Sequence, residues 1–150
     1  MVLRSLSKTS GLAGLRIGFA LGNENIINRI LRVTGPYDIN SFAVAATFAA
    51  LEDQDYVDNY VIEVLKAREW IKSKLVTYKV KYHIGCGNYF LLWPNNNVDK
   101  VEIALKEHGI LVRNMRNKRL IDGSFRVSIG TTNQMKQFWE SYKIADKLIH

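Results

Sequence analysis

The chain has 150 residues, 47% of them apolar and 23% charged, with a formal net charge of +7. That length can bury a core without disulfides or metals, and that balance excludes an intrinsically disordered chain. The single cysteine, Cys86, excludes an internal disulfide framework, no apolar run approaches the roughly 18 residues that span a bilayer, and Met1–Ser5 lacks a secretory leader, so a soluble cytoplasmic protein is expected.

Residues 1–7 are short and lean apolar, and the turn-rich segment Thr9 to Gly14 follows. Leu15 to Leu21 reads as a buried strand. Asn23 to Val33 reads as a helix stopped by Gly35-Pro36. Ser41 to Glu52, rich in alanine and phenylalanine, reads as a second, buried helix. Asp55 to Leu75 carries Val57, Val61, Val64, Arg68, Ile71 and Leu75 at spacings of three and four, which places them on one stripe. Asp58, Glu63, Lys66, Glu69 and Lys72 fall opposite. Such a helix is roughly 30 Å long, enough to bridge two parts of a protein.

After it the texture changes. Lys79 to Ile84 alternates, with Val80, Tyr82 and Ile84 on one face of a half-buried strand. Tyr89 to Trp93 is apolar on both faces, as a central strand requires. Asn97 is placed to cap a helix through His108, with Val98, Val101, Leu105 and His108 on one side, and Gly109 is placed to end it. Ile110 to Arg113 and Ser124 to Ile129 read as strands. In the second, Phe125, Val127 and Ile129 point one way and Ser124, Arg126 and Ser128 the other. A last helix, Asn133 to Ile149, puts Met135, Phe138, Tyr142, Ala145 and Ile149 on one stripe. The class is α/β, with a boundary between two structural units near Tyr56 to Leu75.

The chemistry concentrates in Ser5-Leu6-Ser7-Lys8-Thr9-Ser10-Gly11-Leu12-Ala13-Gly14-Leu15-Arg16. Hydroxyls, exposed backbone N–H groups and an arginine around a glycine-containing turn are donors for a phosphate dianion. An amine held among cations and partly desolvated is kept neutral more easily, and a neutral lysine forms Schiff bases. A phosphate-bearing aldehyde, pyridoxal phosphate, satisfies the whole set. A nucleotide phosphate loop does not, because the lysine precedes the glycines. On spacing alone, Lys8 also reads as a solvated surface residue.

This segment resembles the cofactor-lysine motif of fold-type I pyridoxal-phosphate-dependent aminotransferases, and its S-L-S-K-x-x-G-L-A-G-L-R-I-G-F pattern is most similar to the histidinol-phosphate subgroup. The resemblance implies that Lys8 binds the cofactor covalently and shuttles a proton, while Ser5, Ser7 and Arg16 hold the cofactor phosphate. Ser124 to Thr131 is similar to the family's C-terminal strand, whose arginine grips the acidic group of the substrate, and Ile110 to Arg113 also matches. Arg126 and Arg113 are thereby implicated in substrate binding, and no metal site is expected. The structural alternative for Arg126 is a solvent-facing strand cation.

The resemblance implies a pyridoxal-phosphate-dependent transferase fold. Residues 1–54 would be the end of the large domain, and residues 55–150 a linker helix and the small C-terminal α/β domain. The whole enzyme would be a homodimer moving an amino group between glutamate and imidazole acetol phosphate in histidine biosynthesis. An aromatic or broad-range aminotransferase and a threonine-phosphate decarboxylase are alternatives on the same fold. The 150 residues cover less than half of the family's length. The remainder supplies the partner of the pyridine nitrogen, so this chain alone is expected to be inactive. Leu15 to Leu21 and Ser41 to Glu52 would also lack neighbours and expose apolar surface.

Other residues keep structural readings. Cys86, between Gly85 and Gly87, reads as a small buried hydrophobe, since nothing nominates a base for it. Tyr37 reads as a pocket or packed-turn aromatic. Trp70, Trp93 and Trp139 read as core or half-buried, and His150 as a mobile terminus. His83 and His108 lie on different elements and give no metal site. The cations are dispersed, Arg113, Arg116, Lys118 and Arg119 being the densest group. A basic nucleic-acid-binding module is the alternative of another class, but neither nucleic acid nor membrane is an expected partner.

Overall fold

The computed structural model describes residues 1–148; Ile149 and His150 lie outside the described residues. The chain divides into two compact units, Met1–Val61 and Ile62–His150.

In the first unit, β1 (Val2–Ser5) pairs antiparallel with β2 (Gly18–Leu21), from Val2 opposite Leu21 to Ser5 opposite Gly18. A Cβ on Gly18 would stand 2.9 Å from the Arg4 carbonyl oxygen, so the close pairing requires glycine there. α1 (Glu24–Leu31) starts where the Asn23 side chain accepts the Asn25 N–H. α2 (Ser41–Glu52) starts at Asn40, whose side chain accepts the Ala43 N–H and donates to the Leu15 carbonyl, tying the helix to the β1–β2 loop.

The expected strand from Leu15 is shorter, because Ala13–Leu15 closes a single 3-10 turn and only Gly18–Leu21 pairs. Neither it nor α2 is buried as its composition suggested. Ile17, Ala43 and Thr47 are the residues of this unit that fall below the surface, and Phe42 is 83% and Phe48 64% exposed. Two strands and two helices have too little mutual surface to cover so many apolar side chains. This is the exposure expected of these elements without neighbours.

α3 (Gln54–Thr77) is the long amphipathic helix, and its stripe buries progressively: Val57, Val61, Val64 and Arg68 are half-buried, while Ala67, Ile71 and Leu75 are buried. Lys79 (φ 53°) takes the left-handed conformation that ends it. β3 (Lys81–Ile84), β4 (Tyr89–Trp93), α4 (Val98–Glu107), β5 (Arg113–Asn114), β6 (Phe125–Ser128) and α5 (Thr132–Ala145) complete the second unit. Its sheet has the order β3-β4-β6-β5, antiparallel throughout.

Phe90 and Leu92 of β4 share a face with Val127 and Phe125 of β6. Against that face pack Ile71 and Leu75 of α3, Val101 and Leu105 of α4, and Phe138, Trp139 and Tyr142 of α5. Each such side chain contributes about 1.5–3 kcal/mol by leaving water. Edge-on pairs lock the aromatics, with Phe90–Phe138 centroids 6.0 Å apart and Tyr78–Trp139 centroids 5.1 Å apart.

Local chemistry sets most helix ends as expected. The Asn97 side chain accepts the N–H groups of Asp99 and Lys100. Gly109 (φ 72°) donates to Lys106 and Ile110 donates to Leu105, a Schellman turn. His108 faces solvent rather than the apolar stripe, and Cys86 is exposed rather than buried. Thr131 and Gln134 form a reciprocal capping box on α5, and Glu63 of α3 accepts the Thr132 N–H at 2.8 Å. That bond holds the Glu63 carboxyl below its ordinary range. The expected strand Ile110–Arg113 is reduced to Arg113–Asn114. Ile110 and Val112 still pack at the core margin and Leu111 is 81% exposed, but residues 110–112 diverge from β6 beside a cavity of about 510 Å³.

Asp146, 1% exposed, is the polar pin of this unit. Its carboxylate accepts the N–H groups of Asn95 and Asn96 and the Tyr142 hydroxyl, fixing the turn between β4 and α4 onto the end of α5. Burial and this carboxylate raise the Tyr142 phenol above its ordinary value. Asp146→Ala leaves those donors unmatched and should cost about 3 kcal/mol. Tryptophan fluorescence during urea unfolding reads this unit alone, because Trp70, Trp93 and Trp139 all lie in it; an unchanged midpoint contradicts the assignment.

Glu63 generates a pH-dependent expectation. With its folded pKa lowered, its stabilisation is present above 4.5 and is lost as pH falls through the lower folded value. Glu63→Gln should therefore lower Tm at pH 7, and the difference from the parent should shrink as pH falls below 4.5.

The first unit generates a third. The parent chain should enhance the fluorescence of an anilinonaphthalene sulfonate dye and self-associate in light scattering, and Phe42→Ser with Phe48→Ser should weaken both. A dye-silent, monodisperse monomer is the contrary result.

Candidate functional site

Lys8 sits in the loop that β1 and β2 close at the Ser5–Gly18 pair. Inside it the Ser7 N–H donates to Ser5 Oγ at 3.1 Å, Gly11 N–H to the Lys8 carbonyl at 3.2 Å, and Leu12 N–H to the Leu6 carbonyl at 3.0 Å. Lys8 thus begins a tight turn whose last residue, Gly11, adopts φ 68°. Arg16 stands at the far end with φ 55°, an unusual left-handed backbone for a side chain of its size, and its guanidinium donates to the Ala13 carbonyl at 3.4 Å.

All four sequence-derived residues, Ser5, Ser7, Lys8 and Arg16, therefore belong to one closed loop. Met1 to Asn23 contains no carboxylate, and among the described residues Lys8 makes no ion pair. Lys8 is exposed rather than desolvated. Chemically the four residues offer a dianion the two hydroxyls of Ser5 and Ser7 and two cations, and offer an electrophile one amine nitrogen.

In the second unit, Arg113 of β5 and Arg126 of β6 are direct cross-strand partners. Phe125 and Val127 face the core, so Arg126, and with it Arg113, lies on the other face of the sheet. Like charges directly opposite repel, which favours an anion between them. Both line the cavity of about 510 Å³, together with Ile110–Val112, Ser128–Gly130 and the start of α5.

The sequence did not reveal Tyr89. From β4 it reaches diagonally beneath Arg126, whose Cζ lies 5.5 Å from its ring centroid. Its parity on β4 was readable, but its approach to Arg126 follows from the register of Tyr89 with Ser128, which joins strands 39 positions apart.

Other candidates resolve differently. Arg116 is paired with Asp99 and, at 3.8 Å, with Glu102, so the densest basic group is partly neutralised. Tyr37 lies in the turn after Gly35 but is 93% exposed, so it is not packed there. Trp139 is core, while Trp70 and Trp93 are half-buried under Lys74 and Lys81. Among the described residues no three His, Cys, Asp or Glu side chains converge to hold a metal, and no helix is long and apolar enough to cross a membrane.

Similarity to known proteins runs through nearly the whole chain. Histidinol-phosphate aminotransferase of Clostridium botulinum is 34% identical over 99% of this chain and 43% of that protein. The solved histidinol-phosphate aminotransferase of Clostridium acetobutylicum superposes with a TM-score of 0.83 at 22% identity, over 98% of this chain and 46% of that one. The Sinorhizobium meliloti enzyme, solved in complex with pyridoxal-5'-phosphate, gives 0.78 at 22% identity, over 97% and 40%. The chain spans less than half the length of these relatives. The sequence model of the family described as aminotransferase class I and II matches residues 1–141, and the chain belongs to that family.

Proposed function

We propose that this chain is the C-terminal part of a pyridoxal-phosphate-dependent aminotransferase whose acceptor carries a phosphate, with imidazole acetol phosphate and glutamate as the reacting pair in histidine biosynthesis. Residues 1–54 are the end of its large domain and 55–150 its linker helix and small domain. The whole enzyme is a cytoplasmic homodimer. The Lys8 loop is the observation that carries this reading, and the names of the relatives support the substrate.

The donor set fits the cofactor. A loop with an exposed amine, a guanidinium, the hydroxyls of Ser5 and Ser7 among others, and no carboxylate matches a phosphate-bearing aldehyde in charge and reactivity. When bound, pyridoxal phosphate supplies the electron-withdrawing ring that weakens a bond at the substrate Cα. Ser5, Ser7 and Arg16 grip its phosphate, and the left-handed Arg16 backbone fixes where that guanidinium begins. Lys8 Nζ would be the amine that holds the cofactor through its aldehyde, and as a free base it would take the proton from the substrate Cα. Arg126 and Arg113 hold the acidic group of the substrate, their mutual repulsion relieved by the anion they share.

The test is a borohydride trap. After incubation with pyridoxal phosphate and reduction, the peptide containing Lys8 should carry the pyridoxyl phosphate mass at high occupancy, and Lys8→Ala should remove that label. Labelling spread evenly over the lysines, with Lys8 not preferred, contradicts the reading. Without reduction, the chain alone with pyridoxal phosphate should show no amino transfer from glutamate.

A further inference from the structure

Arg126 has a supporting device that its role as an anion ligand does not itself explain. Its strand position is directly paired with that of Arg113, and two like charges there, with no counter-charge, favour side chains that swing apart. The Tyr89 ring opposes that by presenting the negative face of its π-system beneath Arg126, at 5.5 Å from Cζ. Tyr89 is 43% exposed and its hydroxyl makes no hydrogen bond among the described residues, so neither core packing nor a polar contact accounts for its placement.

The ring in turn needs space. A Cβ on Gly87 would lie 2.9 Å from Tyr89 Cε1 and 3.2 Å from Cδ1, so any side chain there pushes the ring aside. Gly87 has no positive φ, which makes space rather than backbone freedom the reason for glycine. Arg68 on α3 then fixes the loop by donating to the carbonyls of Gly85 and Gly87, the latter at 3.2 Å. Arg68 holds Gly87, Gly87 admits Tyr89, and Tyr89 seats Arg126.

We propose that Tyr89 is a positioning residue that holds the Arg126 guanidinium toward the anion shared with Arg113, and that Gly87 is the space that lets it do so. The proposal rests on the reading of Arg113 and Arg126 as an anion site. Tyr89 itself touches neither cofactor nor reacting atoms.

The test uses the whole chain, inorganic phosphate as the probe and phenylglyoxal as the arginine reagent, with modification of each arginine read by peptide mass mapping. Phosphate should slow modification of Arg126 and Arg113 in the parent. Tyr89→Leu should raise the half-protecting phosphate concentration about two- to fivefold, the scale of an exposed cation–π contact, and should speed modification of Arg126 without phosphate. Gly87→Ala should do the same by displacing the ring although residue 89 is still tyrosine, and Tyr89→Phe, which keeps the ring, should give parent values. Unchanged modification of Arg68 and an unchanged tryptophan spectrum show that the variants are folded. Parent-like protection in both Tyr89→Leu and Gly87→Ala overturns the positioning role alone. No phosphate protection of Arg126 in the parent overturns the anion site, and the positioning role with it.

Discussion

The alternation of side chains along β6 is the constraint from which the second unit is built. Phe125, Val127 and the following Ile129 face inward and are at most 5% exposed, while Arg126 is carried outward between two of them. β6 is hydrogen-bonded on both sides, to β4 and to β5, so its register is fixed by two ladders. A slip of one residue would bury Arg126 among the aromatics of α5 and expose Phe125 and Val127. The core contacts that hold the sheet therefore also hold the cation, and fold stability and site geometry are set by the same strand.

The first unit inverts that relation. Its Lys8 loop is ordered mainly by short-range bonds: a serine accepting from two residues on, a turn closed at Gly11, and the strand pair at Ser5 and Gly18, with the Asn40 side chain bonded to the Leu15 carbonyl. Almost none of this needs a core, which is why the loop keeps a defined shape on a unit that buries so little. The apolar side chains around it, Phe42 and Phe48 above all, are not surplus in the family's terms. The relatives are more than twice as long as this chain, and under the proposed reading these side chains are surfaces for packing.

Elements governed by local chemistry could be read from the sequence. α2 begins and ends where its composition placed it, Asn97 and Gly109 bound α4 as expected, and the alternation of β3 and β6 gave their faces. The Lys8 loop was legible because its residues are contiguous. What could not be read depends on distant pairing. β5 is short because its ladder to β6 stops at Arg113, and the burial of Asp146 arises from a turn 50 positions away. The support of Arg126 by Tyr89 requires two strands in register. Burial in the first unit was misread for a related reason: an apolar helix declares that it packs, but not against what.

The opposed arginines show which way the balance lies at this site. Two like charges at a directly paired position cost a sheet about 0.2–1 kcal/mol, and the short β5 ladder has little to offset that with. A strand selected for stability alone would place a carboxylate or a threonine opposite Arg126. Elsewhere on the same hairpin the chain does match its charges, since Arg116 reaches Asp99 and Glu102 on α4. The unmatched pair is thus a local departure in a region where matching is otherwise practised. It borders a cavity, and an aromatic ring is spent on holding one of its members. Departures of that kind collect where a protein binds something that completes them, and under the proposed reading an anion completes this pair.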